Sequence, residues 1–100
     1  MRTIWKYELR VTDVQRIAMP SDAQLLHVGA QRVEVREADR AGSWDELMLW
    51  ASVDPARPKV ERLIAIVGTG NPAPEPDEAV YVGSAQCGSF VWHVFDGGDI

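Results

Sequence analysis

Apolar residues along this chain come in short runs and two-residue alternations, without the i, i+3, i+4 spacing of a long helix. Trp5, Tyr7 and Leu9 alternate with Lys6 and Glu8, which predicts a strand over residues 3–9 with one face covered. A second strand is expected over 14–19, with Ile17 and Met19 opposite Arg16 and Pro20 as its stop. The one helical candidate, residues 45–53, is short, and its Leu47, Leu49, Ala51 and Val53 alternate instead. A third strand is expected from Gln24. Its phase changes along the way, because Leu26, Val28 and Ala30 are even positions and Val33 and Val35 odd ones; this predicts a bulge or bend at 29–31. Residues 31–37 and 46–53 are then expected to form a long hairpin, with 38–45 as a polar loop at its tip and Trp44 on that loop.

Residues 54–58 predict a turn, and 62–68 a strand apolar on both faces, hence central and covered on both sides. Pro72, Pro74 and Pro76 make 70–78 an extended surface loop. Residues 80–84 and 90–95 are expected to pair across Cys87-Gly88, with Phe90, Trp92 and Val94 on one face and Val91, His93 and Phe95 on the other. The sum is about seven mostly antiparallel strands in a single all-β domain, a sandwich or a barrel. Two late strands apolar on both faces imply an enclosed interior or a sheet face covered by a second copy, which makes a homo-oligomer an expectation.

Composition narrows the function classes. At 100 residues, 46% hydrophobic and 25% charged, the chain is ordinary globular material with room for one core. No segment resembles a membrane span or a signal peptide, and the single Cys87 excludes an internal disulfide, so a cytoplasmic protein without membrane association is expected. The net charge of −5 is uneven: residues 1–62 hold all ten Lys and Arg with ten of the fifteen acids, while 63–100 hold five acids and no Lys or Arg. A binder of nucleic-acid backbone needs a positive stripe, and this chain has none. The five late acids are expected outside the apolar strands, in the proline loop and at the C-terminal end.

Candidate chemistry is sparse. Gly68, Thr69, Gly70 and Asn71 follow a buried strand, where backbone N–H groups can cradle an anion, but no P-loop Lys and no helix complete a phosphate motif. His27 falls on a half-exposed face and is the second ligand-contacting candidate; His93 is expected as a structural imidazole held by hydrogen bonds. His27, His93 and Cys87 have no zinc-motif spacing, so no metal and no cofactor are expected. No nucleophile, base and orienter assemble from spacing alone, which leaves no catalytic residue to name. Trp44, with Arg40 beside it on the hairpin, is the candidate for contact with a protein partner.

Taken in order, Trp5-Lys6-Tyr7, Met19-Pro20, Leu26-His27-Val28-Gly29, Leu49-Trp50-Ala51-Ser52-Val53-Asp54, Gly68-Thr69-Gly70-Asn71-Pro72 and Trp92-His93-Val94-Phe95 resemble a family of small proteins common in tailed bacteriophages and prophages. Two departures stand out: Asn71 replaces the His that follows Gly-Thr-Gly in that family, and residues 32–48 look like an insertion extending a hairpin. The resemblance implies no activity. It implies a phage context, and with the lack of a catalytic set and the surface aromatics the expected function is that of a phage-type accessory protein in the host cytoplasm that binds a host or phage protein. The alternatives are an oligomer that sequesters a small, nucleotide-like anion and, third, an uncharacterised enzyme.

Overall fold

The computed structural model describes residues 1–37 and 40–100, the side chains of 35–37, 40, 41 and 43 excepted. Its elements are β1 (Thr3–Leu9), β2 (Val14–Pro20), β3 (Gln24–Glu37), β4 (Arg40–Val53), β5 (Lys59–Gly68), β6 (Val80–Cys87) and β7 (Phe90–Asp99). They form two antiparallel sheets, β1-β4-β3 and β2-β5-β7-β6, which do not close into a barrel. The all-β sandwich is therefore the architecture. The described residues contain no helix, and so none that is long and apolar enough to cross a membrane.

The alternation of each strand decides which face it buries. In β1 the register Trp5↔Ala51, Tyr7↔Leu49 and Leu9↔Leu47 sets three apolar side chains on the inner face of the first sheet. The second sheet answers with Met19, Ile64, Ile66 and Val94, and these close with Leu47, Leu49, Ala51 and Val53 into one core. At roughly 25 cal/mol per Å2 of apolar area removed from water, side chains of this size stabilise by about 2 kcal/mol each. β5 lies inside its sheet, between β2 and β7, as the apolar run over 62–68 requires. It begins earlier, at Lys59, and its outer face is only partly covered.

Four local expectations are corrected. The register break in β3 falls at Leu26, between Leu25 and His27, instead of at 29–31. Ala23 and Leu25 face inward before it and Val28 after it, with Leu26 pushed out. Val33 is no second slip: it lies on the outer face, opposite Trp44. The loop expected over 38–45 is mostly strand, since β4 starts at Arg40 and Trp44 sits within it; residues 38 and 39 lie outside the described residues. Arg32, Glu34 and Asp45 on one face of this hairpin and Gly42 and Trp44 on the other are exposed, so its polar residues read as a loop although the ladder continues. The β6–β7 turn is Gly88-Ser89 rather than Cys87-Gly88, with Gly88 at φ 67° and Ser89 outside the positive-φ region, the pattern of a type II′ hairpin. Finally, Pro20 does not lie beyond the end of β2 but is its last paired residue, opposite Lys59.

The C-terminal acids are also placed differently. Asp96 and Asp99 belong to β7, where they meet Arg62 of β5: the guanidinium donates to both oxygens of Asp96 at 2.8 and 2.6 Å and to Asp99 at 3.0 Å. The Arg62 side chain is only 11% exposed. Burial opposes the charge on Asp96, yet the hydrogen bonds from Arg62 and from the Gly98 N–H outweigh it and hold the carboxyl below its usual range. A β-bulge at Gly97 makes this alignment, and a Cβ there would come within 2.9 Å of Leu63 Cδ2.

Candidate functional site

The outward-facing residues of the four-stranded sheet follow from the ladder. Val14↔Ala65, Val67↔His93, Ala65↔Phe95, Tyr81↔Phe95 and Gln86↔Val91 are cross-strand pairs on that face. Val14 and Tyr81 are each 56% exposed and Val91 40%, while Ala65, Val67 and Phe95 are half-buried. Tyr81 packs edge-on against Phe95, with ring centroids 5.6 Å apart. The result is a largely apolar surface, with Lys59 and the ion pair of Arg16 with Glu61 at 3.3 Å gathered at one end.

On this face four polar side chains form a linear chain of hydrogen bonds. His93 Nε2 lies 2.7 Å from Thr69 Oγ1, His93 Nδ1 lies 2.6 Å from Ser84 Oγ, and Ser84 Oγ lies 2.5 Å from the Tyr81 hydroxyl. A neutral imidazole has one donor and one acceptor nitrogen, and hydroxyls serve either role, so both tautomers are satisfied. The chain brings together a base and three hydroxyls that spacing alone did not assemble. It has the nucleophile–base contact of acyl-transfer sites, but a hydroxyl stands where those sites place a carboxylate to stabilise the imidazolium.

Ser84 and Tyr81 were not expected here, and one residue in the turn explains why. A loop at Cys87-Gly88 would pair Ser84 with Val91; the observed loop pairs Ser84 with His93. A type II′ turn wants Gly first, and that was the available signal.

The remaining candidates separate. Gly68, Thr69, Gly70 and Asn71 form a tight turn in which the Asn71 N–H donates to the Gly68 carbonyl at 3.1 Å and Gly70 takes φ 91°. That N–H is spent within the turn. Gly68 and Asn71 line a cavity of about 600 Å3, whereas the Thr69 hydroxyl is bonded to His93. His27 is not among them: it lies on the outer face of the other sheet, its ring 5.6 Å from that of Trp50. Trp44 is half-exposed on β4, and its indole N–H donates to Glu46 at 2.7 Å. Arg40 lies in β4 opposite Glu37, and its side chain is outside the described residues.

Cys87 faces inward and donates to the Asp45 carbonyl at 3.0 Å. Burial pushes its thiol up, and the charges of Asp45 and Glu46 add to this, which suppresses the reactive thiolate. Among the described residues no group of three His, Cys, Asp or Glu side chains is placed to hold a metal.

A family model described as a domain of unknown function, DUF7352, matches residues 1–99. No curated protein and no solved structure matches the chain.

Proposed function

The chain belongs to the DUF7352 family, and on that premise we propose that it works by binding a protein, without chemistry of its own, through the outer face of the β2-β5-β7-β6 sheet. One observation carries this reading: on that face His93, Ser84, Thr69 and Tyr81 are hydrogen-bonded to one another, so that only one terminal hydroxyl proton of the four groups lacks an acceptor among them. Covering a surface costs free energy wherever a donor or acceptor loses water and gains nothing, at about 1–3 kcal/mol per group. Here His93, Ser84, Thr69 and Tyr81 keep their partners when water leaves. The apolar residues around them gain by the same step.

The partner is a neutral, apolar protein surface, of host or phage origin in keeping with the motif resemblance. The face is favoured over the hairpin because Trp44 offers a single ring, opposite Val33, where the sheet offers a continuous surface. A second copy of the chain fits the same face. Capture from lysate, run beside sedimentation of the purified protein, tests the reading. Val91→Glu is expected to abolish a partner or a dimer that Trp44→Ala retains; identical behaviour of both variants and the parent overturns it.

The contact between Thr69 and His93 favours a second reading, ester or amide hydrolysis with Thr69 as nucleophile. Turnover of an activated ester that disappears in both Thr69→Val and His93→Leu would replace the binding reading.

A further inference from the structure

The cavity at the end of the sandwich has walls of distinct chemistry. Residues 11–14 form one side, the end of β5 a second, Pro72 and Pro74 a third, and Trp92 the fourth. Its volume of about 600 Å3 lies in the range of small-molecule sites. Gly68 builds its floor. A Cβ there would stand 3.1 Å from Asn71 Nδ2 and 3.3 Å from Trp92 Cζ3, so the missing side chain lets the carboxamide and the indole approach one backbone position.

The electrostatics of these walls have one sign. Among the described residues Asp13 is the only charged one lining the cavity, and no Lys or Arg lines it. The loop that supplies Pro72 and Pro74 continues directly into Glu75, Asp77 and Glu78, and the chain has no Lys or Arg beyond Arg62. The expected nucleotide-like anion would meet a carboxylate and no counter-charge. An organic cation meets the reverse: Asp13 for its charge, the indole for its π-electron attraction and the prolines for an apolar stem.

We infer that this cavity binds a small organic cation, an ammonium group on an apolar or aromatic stem, with Asp13 as its counter-charge and Trp92 as its apolar wall. Val14, Ala65 and Val67 line both this cavity and the proposed docking face, whereas Asp13 and Trp92, on which the inference rests, are not residues of that face.

Three isosteres of one size test it: benzylamine, benzyl alcohol and benzoate, titrated into the isotopically labelled protein while the Trp92 indole and the Gly68 and Asn71 amide signals are followed by NMR. Benzylamine is expected to move these signals to saturation, with benzyl alcohol about tenfold weaker and benzoate without effect, as loss of one charge-assisted contact implies. Asp13→Asn, a substitution at an exposed residue, is expected to bring the amine down to the level of the alcohol. Asn71→Asp is expected to tighten the amine several-fold. The inference is overturned if benzoate or ATP binds as well as benzylamine, if amine and alcohol are equal on the parent protein, or if none of the three moves the Trp92 signal.

Discussion

Two polar clusters share strand β7, one reaching to β5 and the other to β6 and Thr69, and they are built on opposite principles. Arg62, Asp96 and Asp99 form a charged network turned into the end of the sandwich, with a guanidinium held side-on by one carboxylate and end-on by another. Thr69, His93, Ser84 and Tyr81 form a neutral chain turned outward. In the charged network the parts have no substitutes: removing the cation leaves two carboxylates in a half-dry place. The neutral chain is tolerant, because water can replace any member as long as the face is wet. The first belongs to stability and the second, on the proposed reading, to recognition.

The largest test breaks the charged network. Arg62→Leu is expected to cost about 3 kcal/mol, the range for stripping one partner from a buried pair, and to lower the melting temperature by on the order of 10–20 °C. Adding Asp96→Asn should recover part of the loss, since it removes one stranded charge. A loss below 1 kcal/mol in urea unfolding would mean that the network is a surface pair and the comparison fails.

Acid attacks the same cluster more gently. The carboxyl of Asp96 is held below its unfolded value, so its contribution is fully present above the ordinary carboxylate range, near pH 4, and is lost as pH falls through the lowered native value. Stability measured downward from pH 5 should therefore decline, and Asp96→Asn should flatten that decline. A decline equally steep in the variant would assign acid sensitivity to other carboxylates.

How much of this was legible depends on what each residue faces. β1 was readable from end to end because Trp5, Tyr7 and Leu9 face a core and Lys6 and Glu8 face water, so the alternation states the geometry. The β3 bulge was misplaced because the residue it expels, Leu26, is apolar and mimics the inward phase. The charged network was missed because acids in a segment without Lys or Arg, residues 63–100, read as solvated. Its signal was Arg62, which shares parity with buried Ile64 and Ile66 and is thus a cation in phase with the core. The neutral chain hung on whether the β6–β7 turn begins at Cys87 or Gly88, and Gly lies in the loop either way. One residue of register separates Ser84 beside His93 from Ser84 beside Val91, and side-chain period cannot resolve it when both faces of β7 are apolar.

The neutral chain gives a smaller effect whose size depends on what covers it. Ser84→Ala removes the partner of His93 Nδ1 and of the Tyr81 hydroxyl. In the free chain water takes over, and a loss of about 0.5–1 kcal/mol in unfolding is expected. Under a bound partner the same groups are left without water, and the cost should reappear as affinity, on the order of 10-fold. Equal effects on folding and on binding would show that the face stays wet in the complex.

The smallest effect concerns a third polar group that follows neither principle. Tyr7 faces inward, its hydroxyl is buried without a hydrogen-bond partner, and desolvation pushes the phenol up. A hydroxyl in that position costs free energy that a hydrogen atom in its place does not. Tyr7→Phe keeps the ring and its packing, so the variant is expected to match the parent or to gain up to about 1 kcal/mol in urea unfolding. A gain would set the rule for both clusters in one number, since the same atom type is nearly free in the Tyr81 chain and costly at Tyr7, and only the partner differs. A loss above 1 kcal/mol would mean that the Tyr7 hydroxyl is bonded in solution, and the contrast between satisfied and orphaned polar groups would then rest on Arg62 and His93 alone.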